Sequence, residues 1–179
     1  FQNSIHKVIP EYNPDGLETW LKTQDAGLQQ KAKDFAGKIF SILKINVISK
    51  LQDLYEDSWE DTIKDIKKSC LSRLIQLHGD EEDFDLQSLE WSDAVDLNDL
   101  KSIIEKNWTI SKSDDSNYRT FKKDFSIKVN DSFGTKTEQL AWLGDLIKFS
   151  KMIADSKGKK LTPQQVDELE FIYSSLSPD

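Results

Sequence analysis

The segment from Thr135 to Ser156 restricts the fold more than any other part of the chain, because almost every side of it is apolar. Wound as a helix, it carries Trp142, Leu146, Phe149 and Ile153 on one stripe and Leu140, Leu143, Ile147 and Ala154 on a second. A helix whose circumference is mostly apolar must be covered on most sides, which places it in the middle of a helical bundle. No run in the chain approaches the roughly 18 apolar residues of a membrane span, and no charged, apolar and small-residue leader opens it. The expected setting is therefore cytoplasmic, with no membrane partner.

The rest of the chain follows the same periodicity. Residues 1–24 read as an irregular lead-in with Pro10 and Pro14, broken by one short helix from Gly16 to Lys22 behind a cap at Asp15. A long helical pair is expected over 25–78. Its first member starts near Asp25 with Phe35, Ile39, Ile42, Leu51 and Tyr55 at three-four spacing, and a bend near Asn46 is expected. Its second places Trp59, Ile63, Ile66, Cys70, Leu74 and Leu77 on one face and ends at His78-Gly79, where glycine is expected to take the left-handed conformation of a helix terminus.

Asp96 reads as the N-cap of a helix from Leu97 to Asn107, with Leu100, Ile104 and Trp108 facing inward. Ser111–Asn117 interrupts the pattern, Tyr118, Phe121, Phe125 and Val129 resume it, and Asn130–Gly134 reads as a turn. Thr162-Pro163 opens a closing amphipathic helix through Val166, Leu169, Ile172, Tyr173 and Leu176. No stretch alternates with period two. The prediction is one all-α domain of about five to seven helices in a single bundle, a size at which a core forms without disulfides or structural metal.

Charge is unevenly distributed. The formal net charge is −8, but nine acids and no Lys or Arg fall between Gly79 and Asp99, so the remaining residues sum to about +1. Residues 79–95 form an acidic connector. Its run Asp80–Asp85 lacks the central glycine and terminal Glu of a calcium loop and reads as solvated. Phe84, Leu86, Leu89 and Trp91 are interleaved with those acids, a composition that suits docking on a basic, apolar protein surface or pinning the connector to its own core.

Most catalytic signatures are missing. The chain has no glycine-rich phosphate loop, paired-cysteine spacing, GxSxG or HExxH, and it holds only His6 and His78. The single cysteine, Cys70, sits in an apolar helical stripe as a small hydrophobe. No metal site or cofactor is expected. Lys148, Lys151, Lys157, Lys159 and Lys160 gather at the end of the apolar helix and in the loop after it, where they complement the helix dipole and form a weak candidate contact for phosphate or RNA.

Residues 96–176 resemble the HEPN superfamily. The resemblance rests on Asp96–Trp108 with its Asp-Leu, Ile-Ile and Asn-Trp, on Phe121 and Phe125, on Leu140–Leu143, and on Leu161–Gln165. It implies a compact helical bundle, often dimeric, from RNA-processing enzymes and from prokaryotic toxin and antiviral systems. Active members cut RNA without metal, through an Arg and a His separated by four to six residues, at the end of the main helix. Here Ser150-Lys151-Met152-Ile153-Ala154-Asp155 stands at that place, with neither residue. An ionised Asp155 repels phosphate, and Lys151 supplies charge but no proton transfer near neutral pH. The expectation is a catalytically degenerate module, with degenerate positions Ser150, Lys151 and Asp155, that binds a protein partner or a second copy within a larger nucleic-acid-processing or defence protein. The first residue, Phe1, and the last three, Ser177-Pro178-Asp179, fit a piece of a longer polypeptide. Two other readings stay open: a metal-independent endoribonuclease with a rearranged site, and a helical effector or adaptor unrelated to HEPN.

Overall fold

The computed structural model describes residues 14–111, 120–127 and 134–177. The described residues form an all-α bundle with no strand among them. Helix α1 spans Pro14–Tyr55, and a 3-10 segment covers Glu56–Ile63. Helix α2 spans Lys64–His78, followed by short 3-10 turns at Leu86–Ser88 and Trp91–Ala94. Then come α3 (Leu97–Lys106), α4 (Phe121–Phe125), α5 (Lys136–Ala154) and α6 (Pro163–Leu176).

The 42-residue α1 is the spine, about 63 Å long at 1.5 Å per residue. Ala32, Ile39, Leu43, Val47, Leu51 and Leu54 are buried along it at steps of seven, four, four, four and three, and this stripe meets α3, α5 and α6. Helix α6 runs parallel to α1: Lys31 pairs with Glu170 at 3.1 Å, and the Phe35 and Tyr173 rings lie 5.6 Å apart. Helix α5 runs antiparallel, since its end meets Gln29 and Lys33 while Ile147 shares a groove with Phe40. Thus α5 and α6 are antiparallel to each other.

One boundary and one placement differ from expectation. No break separates Lys22 from Asp25, and α1 is continuous through both and through Asn46. A Glu18–Lys22 ion pair one turn apart and the absence of proline between Pro14 and Tyr55 let good helix formers carry the helix on. Helix α5 was expected at the centre, yet Ala141, Gly144, Asp145, Lys148 and Ala154 are exposed and Ile147 is half-buried. The longer α1 holds the central place instead. Periodicity shows that a helix is covered, not which of several covered helices is the axis.

Handedness at the chain reversals also differs. Gly79 is right-handed (φ −62°, ψ −18°), and glycine is needed there because a Cβ would lie 2.5 Å from the Ile75 carbonyl oxygen. Among the described residues the left-handed position is Glu56, at φ 50°, where α1 turns into the 3-10 segment. Trp59 and Ile63, placed on the second helix by spacing, belong to that 3-10 segment, and Leu77 is 73% exposed because α2 outruns the Trp91–Ala94 turn it packs on. Tyr118, Val129 and the Asn130–Phe133 turn lie outside the described residues.

Caps are where local sequence decided structure directly. Asp96 with Asp99, Thr135 with Glu138, and Thr162 with Gln165 each form a reciprocal capping box. The Asn-Trp pair closing α3 is structural: buried Asn107 accepts from Tyr55 Oη at 2.6 Å and donates to the Ile103 carbonyl at 2.8 Å, tying the end of α1 to the end of α3. Trp142 Nε1 donates to the Phe125 carbonyl at 3.0 Å and fixes α4 on α5.

Asp99 carries the densest buried polar cluster. Arg73 donates Nη1 to Asp99 Oδ2 at 2.7 Å and Nη2 to Oδ1 at 3.1 Å, and Nη1 also reaches the Ala94 carbonyl at 2.8 Å. The Asp96 backbone N–H donates to Asp99 Oδ2 at 3.0 Å. Burial raises the pKa of the Asp99 carboxyl, but the hydrogen bonds from Arg73 and from Asp96 outweigh it and hold the group below the usual carboxylate range. A lowered folded-state pKa gives stability that is present above the unfolded value and is lost as pH falls through the folded one. Breaking a fully buried pair costs roughly 3–5 kcal/mol; with the Arg73 side chain 36% exposed, about 2–3 kcal/mol is expected. Arg73→Met should therefore lower Tm by about 5–10 °C at pH 7. Thermal melts should show its gap to the parent narrowing as pH drops below about 4, as Asp99 protonates in both.

Candidate functional site

The helix that ends at Ala154 presents the residues singled out by the sequence. Asp155 leaves the helix in extended backbone (φ −86°, ψ 98°) and folds its carboxylate over the following turn. Its Oδ1 accepts from the Lys157 N–H at 3.1 Å, and its backbone carbonyl accepts from the Gly158 N–H at 3.2 Å. A Cβ at Gly158 would press on the Asp155 carboxylate, which would have to swing aside, so glycine suits this close wrap. The Asp155 side chain caps the loop.

The lysine loop is clamped to α1. The Gln29 amide donates to the Leu161 carbonyl at 2.9 Å and accepts from the Leu161 N–H at 3.1 Å, completing both backbone groups of one loop residue. Lys160 Nζ donates to Asp25 Oδ2 at 2.7 Å, and that hydrogen bond lowers the exposed Asp25 carboxyl below its ordinary value. Asp25, expected near a helix start, is thus a loop anchor in mid-helix. Lys160 is committed to this pair, while Lys148, Lys151, Lys157 and Lys159 are exposed and form no ion pair with the described residues. Lys159 and Lys160 line one shallow pocket with Asp155, Ser156 and Gly158 against α1.

Ser150 and Lys151 line a groove of about 480 Å³ between α5 and α1, closed at one end by Asp96, Leu97 and Asn98. Ile147, Ser150, Lys151 and Ala154 on α5 face Lys33, Ala36, Gly37 and Phe40 on α1, each row at one-helix-face spacing. Its floor is apolar. Sequence reasoning missed this groove because its walls come from three helices, although each row is readable alone once antiparallel pairing is known.

The connector residues separate. Trp91, grouped with the docking candidates, is only 7% exposed and is withdrawn from any partner: its ring lies 6.2 Å from Trp59, with Lys67 Nζ 5.8 Å from its centroid. Phe84 and Leu89 are half-buried, and Leu86 is 57% exposed. The connector is pinned to the core by Trp91 and Val95 and presents Leu86 outward.

The Arg73–Asp99 cluster, also missed, has one cue in the sequence: Arg73 is one of two arginines and lies on an otherwise apolar turn beside Cys70. Cys70 is fully buried, its Sγ 3.8 Å from Asp99 Oδ2, and burial, then the Asp99 charge, pushes its pKa up to about 11. Such a thiol stays protonated and unreactive. His78 pairs with Glu81 at 2.8 Å, and His6 lies outside the described residues. Among the described residues no three His, Cys, Asp or Glu groups are placed to hold a metal, and no helix is long and apolar enough to cross a membrane.

No protein-family model, curated protein or solved structure matches the chain. If the Gln29 clamp holds the loop, Gln29→Leu should raise amide hydrogen exchange at Leu161 on the order of tenfold or more, the equivalent of losing two hydrogen bonds of about 0.5–1.5 kcal/mol each. Exchange in the Ile39–Leu51 core of α1 should stay unchanged.

Proposed function

We propose that this chain is a non-catalytic, HEPN-like helical module that mediates interaction or assembly within a larger nucleic-acid-processing or antiviral-defence protein. The capping role of Asp155 carries the reading. The turn that would hold a cleavage motif is filled by a carboxylate bound to the loop backbone, and the two groups such chemistry needs are replaced by Lys151 and Asp155. A carboxylate there opposes the approach of a phosphodiester, and His78, the histidine among the described residues, is paired with Glu81. A body stabilised by capping boxes and a continuous core, with an open groove on α1, suits holding a partner.

The leading rival is a metal-independent endoribonuclease that uses the exposed lysines. With single-stranded RNA and excess chelator, the chain is expected to release no fragments above buffer, and Lys151→Ala and Asp155→Ala are expected to leave that baseline where it is. Chelator-resistant cleavage abolished by either substitution would overturn the module reading.

A further inference from the structure

Gly37 stands in the interior of α1, and a Cβ built on it would meet nothing within 4 Å. Glycine is the least favourable residue short of proline inside a helix, and neither left-handed backbone nor an intramolecular close approach calls for it here. Its location is unusual in a second respect. Lys33 and Gly37 line the groove against α5 and also, across the ridge of α1, a second groove of about 620 Å³ walled by Lys38, Ile42 and Tyr173. The missing side chain makes position 37 a low pass joining the two grooves. One turn on, Ser41 keeps the ridge low, its Oγ donating to the Gly37 carbonyl at 3.0 Å, and one turn further Ile45 is 67% exposed.

Charge gives this surface a polarity. Lys33, Lys38 and Lys151 edge the two grooves, and none has an ion-pair partner among the described residues. Of the two carboxylates present, Asp96 faces Arg73 at 3.4 Å and Asp34 takes the Gln30 amide at 2.9 Å. In a chain of net charge −8, this is an apolar saddle with a cationic edge.

We propose that the pass over Gly37 seats an α-helix of a protein partner, apolar on its inner face and bearing Asp and Glu on its flanks. The helix crosses α1 with its backbone close above Gly37, where no side chain holds it away, and its apolar residues drop into the groove on either side. Its acids meet Lys33, Lys38 and Lys151, which steers association and rejects basic helices. The inference rests on the interaction-module reading and names its surface and partner class.

The test titrates the isotope-labelled full chain with amphipathic peptides of roughly 18 residues, long enough to be helical, sharing a Leu/Ala face and flanked by Glu in one set and Lys in the other. Glu-flanked peptides are expected to bind saturably, to weaken with salt, and to shift amides of residues 33–41 and 147–154. Gly37→Trp should weaken them at least tenfold, whereas Gly27→Trp, at a helix glycine that also meets nothing within 4 Å and lines neither groove, should not. Gly37→Ala should raise Tm by about 2–4 °C, since it removes a helix-interior glycine, which shows that variants at this position fold. Equal binding of Lys-flanked peptides, indifference to Gly37→Trp, or no groove shifts at millimolar peptide overturns the proposal. So does a concentration-dependent dimer that buries these amides, or an RNA oligonucleotide that shifts them more strongly than the acidic peptides. Absence of peptide binding without RNA cleavage sinks the docking site alone, while RNA cleavage sinks the module reading beneath it.

Discussion

An ion pair between the partly exposed Arg73 guanidinium and the buried Asp99 carboxylate sets how α2 and α3 meet. Helix α2 has little contact with the α1 spine and is held chiefly by the Trp91–Ala94 turn and by the two hydrogen bonds from Arg73 to Asp99. Asp99 is also the third residue of α3 and the reciprocal partner in its capping box, so one carboxylate decides where α3 begins and where α2 docks. An uncompensated charge at a site 9% exposed is costly, so the pair enforces a single arrangement of these segments. Burial, reinforced by the Asp99 charge, keeps the neighbouring Cys70 protonated and removes it from chemistry.

The start of α3, once placed, closes one end of the groove between α1 and α5. The other end is governed by the Gln29 and Asp25 contacts to the lysine loop. Both ends of this surface are therefore held by polar interactions between segments distant in sequence, while its floor is the apolar flank of two helices. Polar contacts near both ends thus flank an open, partly apolar floor whose edge carries Lys33, Asp96 and Lys151.

Much of the architecture was legible one element at a time. Asp96 and Thr162 announced two helix starts through side chains that satisfy local backbone N–H groups, a requirement met within four residues, and Thr135 caps a third in the same way. The stripes of α3, α5 and α6 came from three-four spacing, which any helix with one covered face must show. Errors arose where the determinant was remote. A helix expected to stop at Lys22 runs through because nothing local ends it, and the reversal at Glu56 uses a residue that no turn rule favours. Of the residues proposed as a site, Ser150 and Lys151 share a groove, Asp155 caps a loop, Lys160 is paired with Asp25, and Trp91 lies in the core.

By itself, the amino-acid order determined that the chain is helical, where several helices begin, which faces are covered, and that the end of α5 carries neither Arg nor His. These properties depend on spacing and on contacts within one or two turns. Tertiary structure alone decided that α1 is the spine, that Arg73 finds Asp99 across 26 residues, that Gln29 clasps Leu161 across 132, and that Gly37 joins two grooves. Those outcomes depend on which covered faces meet, and many pairings of apolar stripes bury similar area; discrete polar bonds between distant residues select one of them.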